Sequence, residues 1–599
     1  MDRHGFSGTP VYIKRVYGVS LPAVGRKANG GCARRVGSTG ALRDEETVDL
    51  REKMRSLAVL IAANALAVVA FTILALTGDR TVGYVLTALA LAGLVWHALT
   101  HNFRDTIAAQ LLLAAAVLTD YYGHLSDGKA AVLAAAGAVL ALLIAGEPVI
   151  TFVIERPRLR VAHLPGYVPA RTSLIDPRAL RTADILAVVL AGVSALAGWP
   201  PWPLALCVGV ITVATGVVGL QAVRERLRGT IDDTAFRTAL EAYGPKFALH
   251  FTAPENTEFH VTMWLPYLDR VGEPYVVVVR EPYSFDPIAS VTGIPVVYCP
   301  NASFLDQVVV PGLKACFYPN NGALNSHMVR LYQLTHIHIG HGDSDKAAAF
   351  NPVTAMFDRI FVPGRAAVDR YAANGVRIPE EKFDIVGRPQ VAGIEVVRQE
   401  ITDVPHKTVV YALTWVGLHD DLPYCSLPVA EKIVAALLER GVRVILRPHP
   451  YSARHPPSAR LVARVCQLLE EDRDRTGREH VFGEAATARM SLVECMNAAD
   501  AMISDVSAVA QDWLFSGKPL ALTNMLGRER AEFEAEFPLA RAAYLVDRDM
   551  AGLDKVLDEL LETDPLAATR RATRAYYLGD FPVEGYADRF VEAARSYVR

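Results

Sequence analysis

Three histidines stand close together in the stretch LTHIHIGHGDSDK, Leu334 to Lys346: His336, His338 and His341. Histidine is the commonest metal-ligating side chain, and the one whose ordinary pKa lies near neutrality. The stretch therefore admits two chemistries, a zinc site or a general base that works without metal. Alternation along HIHIG sends His336 and His338 to one face and Ile337 and Ile339 to the other. The first two are expected to be core or lining histidines with satisfied hydrogen bonds. His341 follows Gly340 at the strand-to-helix turn, where a base is presented to a ligand. Asp343 or Asp345 would orient its imidazole or cap the next helix, and Lys346 would meet a phosphate.

The zinc reading draws on THIHIGH, which resembles the T-H-x-H-x-D-H signature of metallo-β-lactamase-like hydrolases. Gly340 stands where that signature has Asp, and His406, His419 and His449 belong to other patterns. No metal and no other cofactor is expected. In VILRPHPYS a Val/Ile strand ends in Arg447 and His449, held rigid by Pro448 and Pro450. An Arg and a His so fixed suit a diphosphate, or else mark a rigid turn with an exposed His. In AMISDVSAVAQDWLFSGKP a strand ends at Asp505 and a helix starts at Ser507. Free N–H groups and a hydroxyl at a helix start bind anions, with a plain N-cap as the alternative. Asp505 would orient a donor or bond a sugar or glycerol hydroxyl. Arg388 in VGRPQ is a phosphate contact, and Thr414 in ALTWVGLHDD faces the cleft beside Trp415.

These motifs need strand ends to hold them. Residues 235–599 alternate short Val/Ile-rich runs with amphipathic helices, the pattern of parallel sheets covered on both faces. Seven runs fall at 246–253, 275–281, 295–299, 314–319, 336–340, 359–364 and 383–387. After a link at 388–407, four more fall at 408–415, 442–450, 501–507 and 519–524. A helix over 427–441 closes on Gly441. Two doubly wound parallel α/β sheets facing across a cleft make a GT-B-like pair, with ligands beyond the carboxyl ends of the strands. The halves are expected at 230–395, the acceptor side, and 396–599, the donor side.

The first half of the chain is different. Apolar residues make up 51% of the sequence and charged residues 21%, and the apolar excess lies before residue 224. Six apolar segments fall at 57–77, 82–100, 106–122, 130–154, 183–199 and 203–223. A bilayer core of about 30 Å takes about 20 helical residues, so residues 51–229 are expected to be a multi-pass α-helical membrane domain of about six helices, with the third and fifth short. Asp120 and Glu147 are expected at its interfaces. Residues 1–50 are expected to be disordered. Basic residues gather at Arg51–Arg55, Arg156–Arg181 and Arg224–Arg228, which puts both the N-terminus and residues 230–599 in the cytoplasm of a cell-membrane protein. The seven cysteines form no paired spacing, in keeping with a reducing compartment. A net charge of −3 gives no reason to expect nucleic acid.

Taken together, the motifs over about residues 240–560 resemble the CDP-glycerol glycerophosphotransferase family, the polymerases and primases of teichoic acid synthesis. That family's W-H-G-T-P-x-K stretch lines up with GHGDSDK, G-R-P-R with GRPQ, P-T-W-R-D with LTWVG, R-P/M-H-P with RPHP, and S/T-D-Y-S-S with SDVSA. Here Gly340 replaces Trp, Asp343-Ser344 replaces Thr-Pro, and Ala508 replaces the second Ser. The resemblance implies transfer of glycerol phosphate or another polyol phosphate from a CDP-linked donor, with CMP released. His341 would be the base, and His449, Arg447 and Ser507 would hold the pyrophosphate. The acceptor would be a lipid-linked glycan or polyol-phosphate chain at the membrane. Three rivals remain. One is a GT-B glycosyltransferase on a nucleotide sugar, releasing a nucleoside diphosphate. Another is a non-catalytic membrane-anchored binding protein. The third is a transporter with a regulatory domain, which the few polar residues inside the helices disfavour.

Overall fold

A computed structural model describes residues 42–100, 106–154, 159–168, 177–416 and 423–599. The chain divides into two compact units, residues 1–59 and 60–599, and both sheets lie in the second. Residues 1–41, with Cys32, are outside the described residues, as are Arg156, Arg158, Arg171 and His419. Residues 42–50, expected to be disordered, already belong to the helix Leu42–Thr72. The run LRDEETVDLREK is rich in helix formers, which outweighs its lack of an apolar period.

Five more long helices follow, Arg80–Thr100, Ile107–Tyr122, Asp127–Ile154, Pro177–Ala197 and Trp202–Tyr243. Three stretches, Leu57–Thr77, Gly128–Ile150 and Trp202–Gln221, are long and apolar enough to cross a membrane; Arg80–Trp96, Ile107–Tyr122 and Thr182–Ala197 are shorter apolar helices. All six helices feed one apolar core, through Ala67, Ala90, Leu113, Leu140, Val188 and Leu204. Asp120, near the end of its helix, is buried among the helices. It accepts from Tyr84 Oη (2.8 Å) and Arg80 Nε (3.2 Å), while Arg80 Nη2 donates to the Ala195 carbonyl (2.6 Å). One end of the bundle is thereby tied across three helices.

The helix Trp202–Tyr243 runs unbroken through the boundary expected near 229. Its 42 residues make a rod of about 63 Å at ~1.5 Å per residue, roughly twice a bilayer core. Its last turns do different work from its first. Phe236, Ala239 and Leu240 pack with Val276 and Val278 beneath the first sheet.

That sheet has eight strands: β1 (Arg160–Ala162), β2 (Phe247–Phe251), β3 (Tyr275–Val279), β4 (Val296–Tyr298), β5 (Ala315–Tyr318), β6 (Thr335–His338), β7 (Arg359–Val362) and β8 (Phe383–Ile385). They lie in the order β1-β4-β3-β2-β5-β6-β7-β8. All neighbours pair in parallel except β1, which runs antiparallel to β4. Every residue of β3 is buried. Val277 and Val279 face one apolar layer, Val276 and Val278 the other, as a strand covered on both sides requires. The second sheet holds β9 (Thr408–Ala412), β10 (Arg443–Arg447), β11 (Ala501–Ser504), β12 (Leu520–Asn524) and β13 (Tyr544–Asp547), all parallel, in the order β10-β9-β11-β12-β13. The helix Ala430–Glu439 ends as expected, with Gly441 in the left-handed region at φ 74°.

Three features depart from the sequence reading. β1, of three residues, and β13, of four, were not expected. β1 comes from the basic loop expected within the membrane part, and its hydrogen bonds to β4 dock that loop on the first sheet. The last helix, Asp588–Val598, does not stay with the second sheet. Phe590, Val591, Ala594 and Val598 pack into the first sheet's core beside Phe247 and Val277. A cut at 395/396 therefore separates a helix from the sheet it covers. Phe590 is fully buried, so Phe590→Ala is expected to cost about 3–5 kcal/mol. A denaturant melt of the detergent-solubilised chain checks this, and an unchanged midpoint would remove the helix from that core.

Candidate functional site

Each sheet reverses its strand order once, the first between β2 and β5, the second between β9 and β11. The loops leaving the carboxyl ends of these strands meet, and such switch points are where doubly wound sheets hold ligands.

From the first sheet, β6 runs into Gly340, whose φ of 63° turns the chain sharply. A residue with a β-carbon would be strained there. The indole Nε1 of Trp264 donates to the Gly340 carbonyl (2.7 Å). His341 is thereby brought against the end of β5, where its Nδ1 lies 3.0 Å from the Pro319 carbonyl. A carbonyl only accepts, so Nδ1 carries the proton and Nε2 keeps its lone pair. Neither Asp343 nor Asp345 orients this ring. Both carboxylates accept from Arg370, Asp343 Oδ1 from Nη1 at 2.5 Å and Asp345 Oδ1 from Nη2 at 2.9 Å. Burial lowers the His341 pKa, and the Arg388 charge lowers it further against the opposing Pro319 bond.

His260 stacks on His341 with ring centroids 3.6 Å apart and planes 14° from parallel. Burial first, and then His341, push its pKa down to about 2. This second histidine was not foreseen. It sits in the four-residue helix Phe259–Thr262, with no spacing that links it to residue 341. The one available signal was its place just after β2, beside the switch point.

From the second sheet, β10 ends at Arg447, and His449 opens the turn that follows. Its Nδ1 accepts from the Tyr451 backbone N–H (3.1 Å). The donor here is fixed, so Nδ1 holds the lone pair and Nε2 carries the hydrogen. The Trp415 ring stacks on it at 5.8 Å. Burial, then Lys346, push its pKa down to about 4. The two histidines are thus neutral and held in opposite tautomers, one offering an acceptor and the other a donor.

Lys346 crosses between the halves. Its Nζ donates to Thr414 Oγ1 (3.1 Å) and lies 5.2 Å from the Tyr424 ring centre. Burial lowers its pKa, while Asp505 raises it. Arg388 also spans the halves, with Nε 2.5 Å from Asp512 Oδ1. Gly342 is small for a reason: a β-carbon there would stand 3.3 Å from Ala508 Cβ.

Three residues expected at the donor site have their hydrogen bonds within the protein. Asp505 is fully buried; its carboxylate accepts from Thr414 N (2.7 Å), Ser426 N (3.1 Å) and Thr523 Oγ1 (2.6 Å). It shapes the loops around the cleft and does not face it, because a buried carboxylate is tolerated only when donors surround it. Arg447 Nη1 donates to the carbonyls of Ala486 and Met490, the latter at 3.0 Å, bracing the 486–490 segment. Ser507 caps the helix Ala508–Trp513 through Ala510 N (3.3 Å). His336 is a satisfied core histidine, bonded to Tyr318 Oη (2.8 Å) and the Leu331 carbonyl (3.2 Å). His338 is a lining histidine, on a cavity of about 90 Å³ that His341 also lines, but it departs from the expectation in that its buried Nε2 has no partner among the described residues. Among those residues, no three His, Cys, Asp or Glu side chains gather as a metal site would need.

No protein-family model matches the chain, and no curated protein matches it. Solved structures give distant likenesses. The wall teichoic acid polymerase TagF is 14% identical over 63% of this chain and 96% of its own, with a TM-score of 0.38. A glycosyltransferase from Rickettsia africae is 10% identical over 60% and 100%, with a TM-score of 0.38. UDP-GlcNAc 2-epimerase from Neisseria meningitidis, bound to UDP-GlcNAc, is 12% identical over 58% and 99%, with a TM-score of 0.37. Likenesses this low leave any assignment to the chain's own residues.

Two expectations follow from the geometry. Asp505→Asn sets an amide donor against a backbone donor and is expected to cost about 1–3 kcal/mol, read as a lower melting midpoint. If neutral His341 is the working form, its depressed pKa puts the acid limb of kcat/KM below the ordinary imidazole value of about 6.5. A limb above that value in the rate–pH profile would remove His341 from the base role.

Proposed function

We propose that this chain is a membrane-bound transferase that moves glycerol phosphate, or another polyol phosphate, from a CDP-linked donor to a lipid-linked acceptor, as in teichoic-acid-like polymer synthesis. The observation that carries the reading is the pair His341 and His449, from the ends of two facing sheets, fixed by backbone bonds in opposite tautomers. The motif resemblance supplies the donor class.

In this reading His341 Nε2 takes the proton of the acceptor hydroxyl. The oxygen attacks the β-phosphorus of the donor, the bond from that phosphorus to the bridging oxygen breaks, and CMP leaves. His449 Nε2–H donates to the phosphoryl oxygens as charge grows on them, the kind of fixed donor that stabilises phosphoryl transfer. The ammonium of Lys346, held at Thr414, adds positive charge to the same place. Arg388 and Asp505 act through what they hold in position.

Three long apolar helices, and a second role for one of them as a support of the first sheet, favour work at a membrane surface. β1 docks the arginine-bearing loop on that sheet. The basic loop and the transferase half then share a side, which is the cytoplasmic side under the positive-inside rule. The six-helix reading of the bundle belongs to this proposal.

CMP release from CDP-glycerol by the full chain in native-lipid nanodiscs tests it. His341→Ala is expected to lower the rate by about 10²–10⁴-fold, the range for loss of a general base. His449→Ala is expected to lower kcat by about 10²–10³-fold. Release of a nucleoside diphosphate from a nucleotide sugar, with none of CMP, would replace this reading with a glycosyltransferase. Full rates in both variants would overturn the mechanism.

A further inference from the structure

Resting on that reading, we propose that His260 is a positioning residue for the base: its ring covers one face of His341, holds the plane of that imidazole and keeps water from it. The two rings lie 3.6 Å apart and 14° from parallel. Ring N–H bonds lie in the ring plane, so neither histidine points a proton at the other. His260 therefore serves as a surface and not as a relay.

The ring of His260 is itself set by aromatic neighbours. Phe259 meets it edge to face at 4.4 Å and Phe251 at 6.2 Å, both at 85°. Its buried Nδ1 has no hydrogen-bond partner among the described residues, so packing orients this ring. Four residues on, Trp264 donates to the Gly340 carbonyl. The segment after β2 thus grips the 340–341 turn twice, once at the backbone and once at the ring. At the edge of the His341 ring, Nδ1 is fixed by the Pro319 carbonyl (3.0 Å). With one edge bonded and one face covered, Nε2 is the remaining polar atom that can meet a substrate.

Charge settles which ring of the stack takes the proton. Two imidazolium ions at this distance repel, so one ring stays neutral when the other is charged. Burial, and then His341, hold His260 neutral, pushed down to about 2, which leaves His341 as the ring that titrates. The other groups around His341 are accounted for. His338 of β6 is held neutral by burial and then by His341. Arg388, in the link after β8, is paired to Asp512, and Asp343 of the same loop as His341 is paired to Arg370. The Tyr371 phenol, which lines the same cavity, donates to Thr354. A ring face open to water would hydrate the imidazolium and raise the pKa of His341, whereas a covered face keeps it a neutral base at lower pH. Once the proton has moved, the neutral face of His260 also favours the neighbouring cation.

The test titrates the full chain in nanodiscs with ¹³Cε1-labelled histidine. The His341 resonance is identified by its loss in His341→Gln, and the His449 resonance shows that each variant is folded. His260→Ala is expected to raise the pH at which His341 titrates, toward the ordinary imidazole value of about 6.5. His260→Phe, which restores a ring, is expected to bring it back down. In the CDP-glycerol assay His260→Ala is expected to lower kcat about tenfold, as a misaimed group does, with acceptor KM nearly unchanged, and His260→Phe to recover most of the rate. His260→Asn, whose hydrated amide admits water to the same face, replaces the alanine variant if that chain does not fold. A His341 titration that stays in place without the ring, or a phenylalanine variant that behaves like alanine, overturns the role. An unchanged kcat in His260→Ala also overturns it. A wild-type chain that releases no CMP would sink the transferase reading alone, since the titration still decides whether His260 shields His341.

Discussion

The buried carboxylate of Asp345 joins the halves that carry the two sheets. Asp345 leaves the loop after β6 and accepts from Arg370 of the first half, and from Tyr577 Oη (2.8 Å) and Leu539 N (3.4 Å) of the second. A charge taken out of water must be surrounded by donors, and here the donors come from both sides. The loop that carries His341 is thereby pinned to the opposite half. Arg388 with Asp512, and Lys346 with Thr414, repeat the device on either side. Each pair demands that the two sheets approach at one distance and one angle.

That constraint explains the small residues at the seam. Gly342 meets Ala508 with no room to spare, and Gly340 supplies a left-handed turn. Gly340 and Ala508 are departures from the family pattern that the sequence resembles, whereas Gly342 keeps its glycine. The aromatic lost at residue 340 has a spatial counterpart in Trp264, which bonds the Gly340 carbonyl from a different segment. The site is also physically continuous with the helical bundle. One helix begins among apolar helices and ends under the first sheet, so tilt of the bundle and position of the sheet are coupled through a rigid rod.

Much of this was legible in the chain. Short apolar runs such as YVVVV, set between helical stretches, point to strands buried on both faces, and eleven of the thirteen strands fall on such runs. Motifs at run ends, Gly340-His341, Arg447-Pro448-His449 and Asp505-Val506-Ser507, marked the carboxyl ends where ligands bind. Six apolar stretches foretold six helices. These are local properties, set by side-chain type and by the period of the backbone.

Roles were less legible than positions. The types of Arg447 and Ser507 suit a phosphate and that of Asp505 a sugar or glycerol hydroxyl, yet their hydrogen bonds are taken up by the protein, because whether a polar side chain faces a cleft depends on which groups folding brings beside it. His338 and His336 share one face of one strand; only the third dimension gives one a partner and leaves the other without. The stacking of His260 on His341 joins residues 81 positions apart in the sequence, with no pattern to link them. The tautomers of His341 and His449 rest on Pro319 and Tyr451 backbone atoms, which every sequence possesses. Composition and periodicity determined the elements and which residues end them. Tertiary structure alone decided which polar groups were left with a lone pair, a proton or an empty neighbour, since that is settled by contacts between segments distant in the chain.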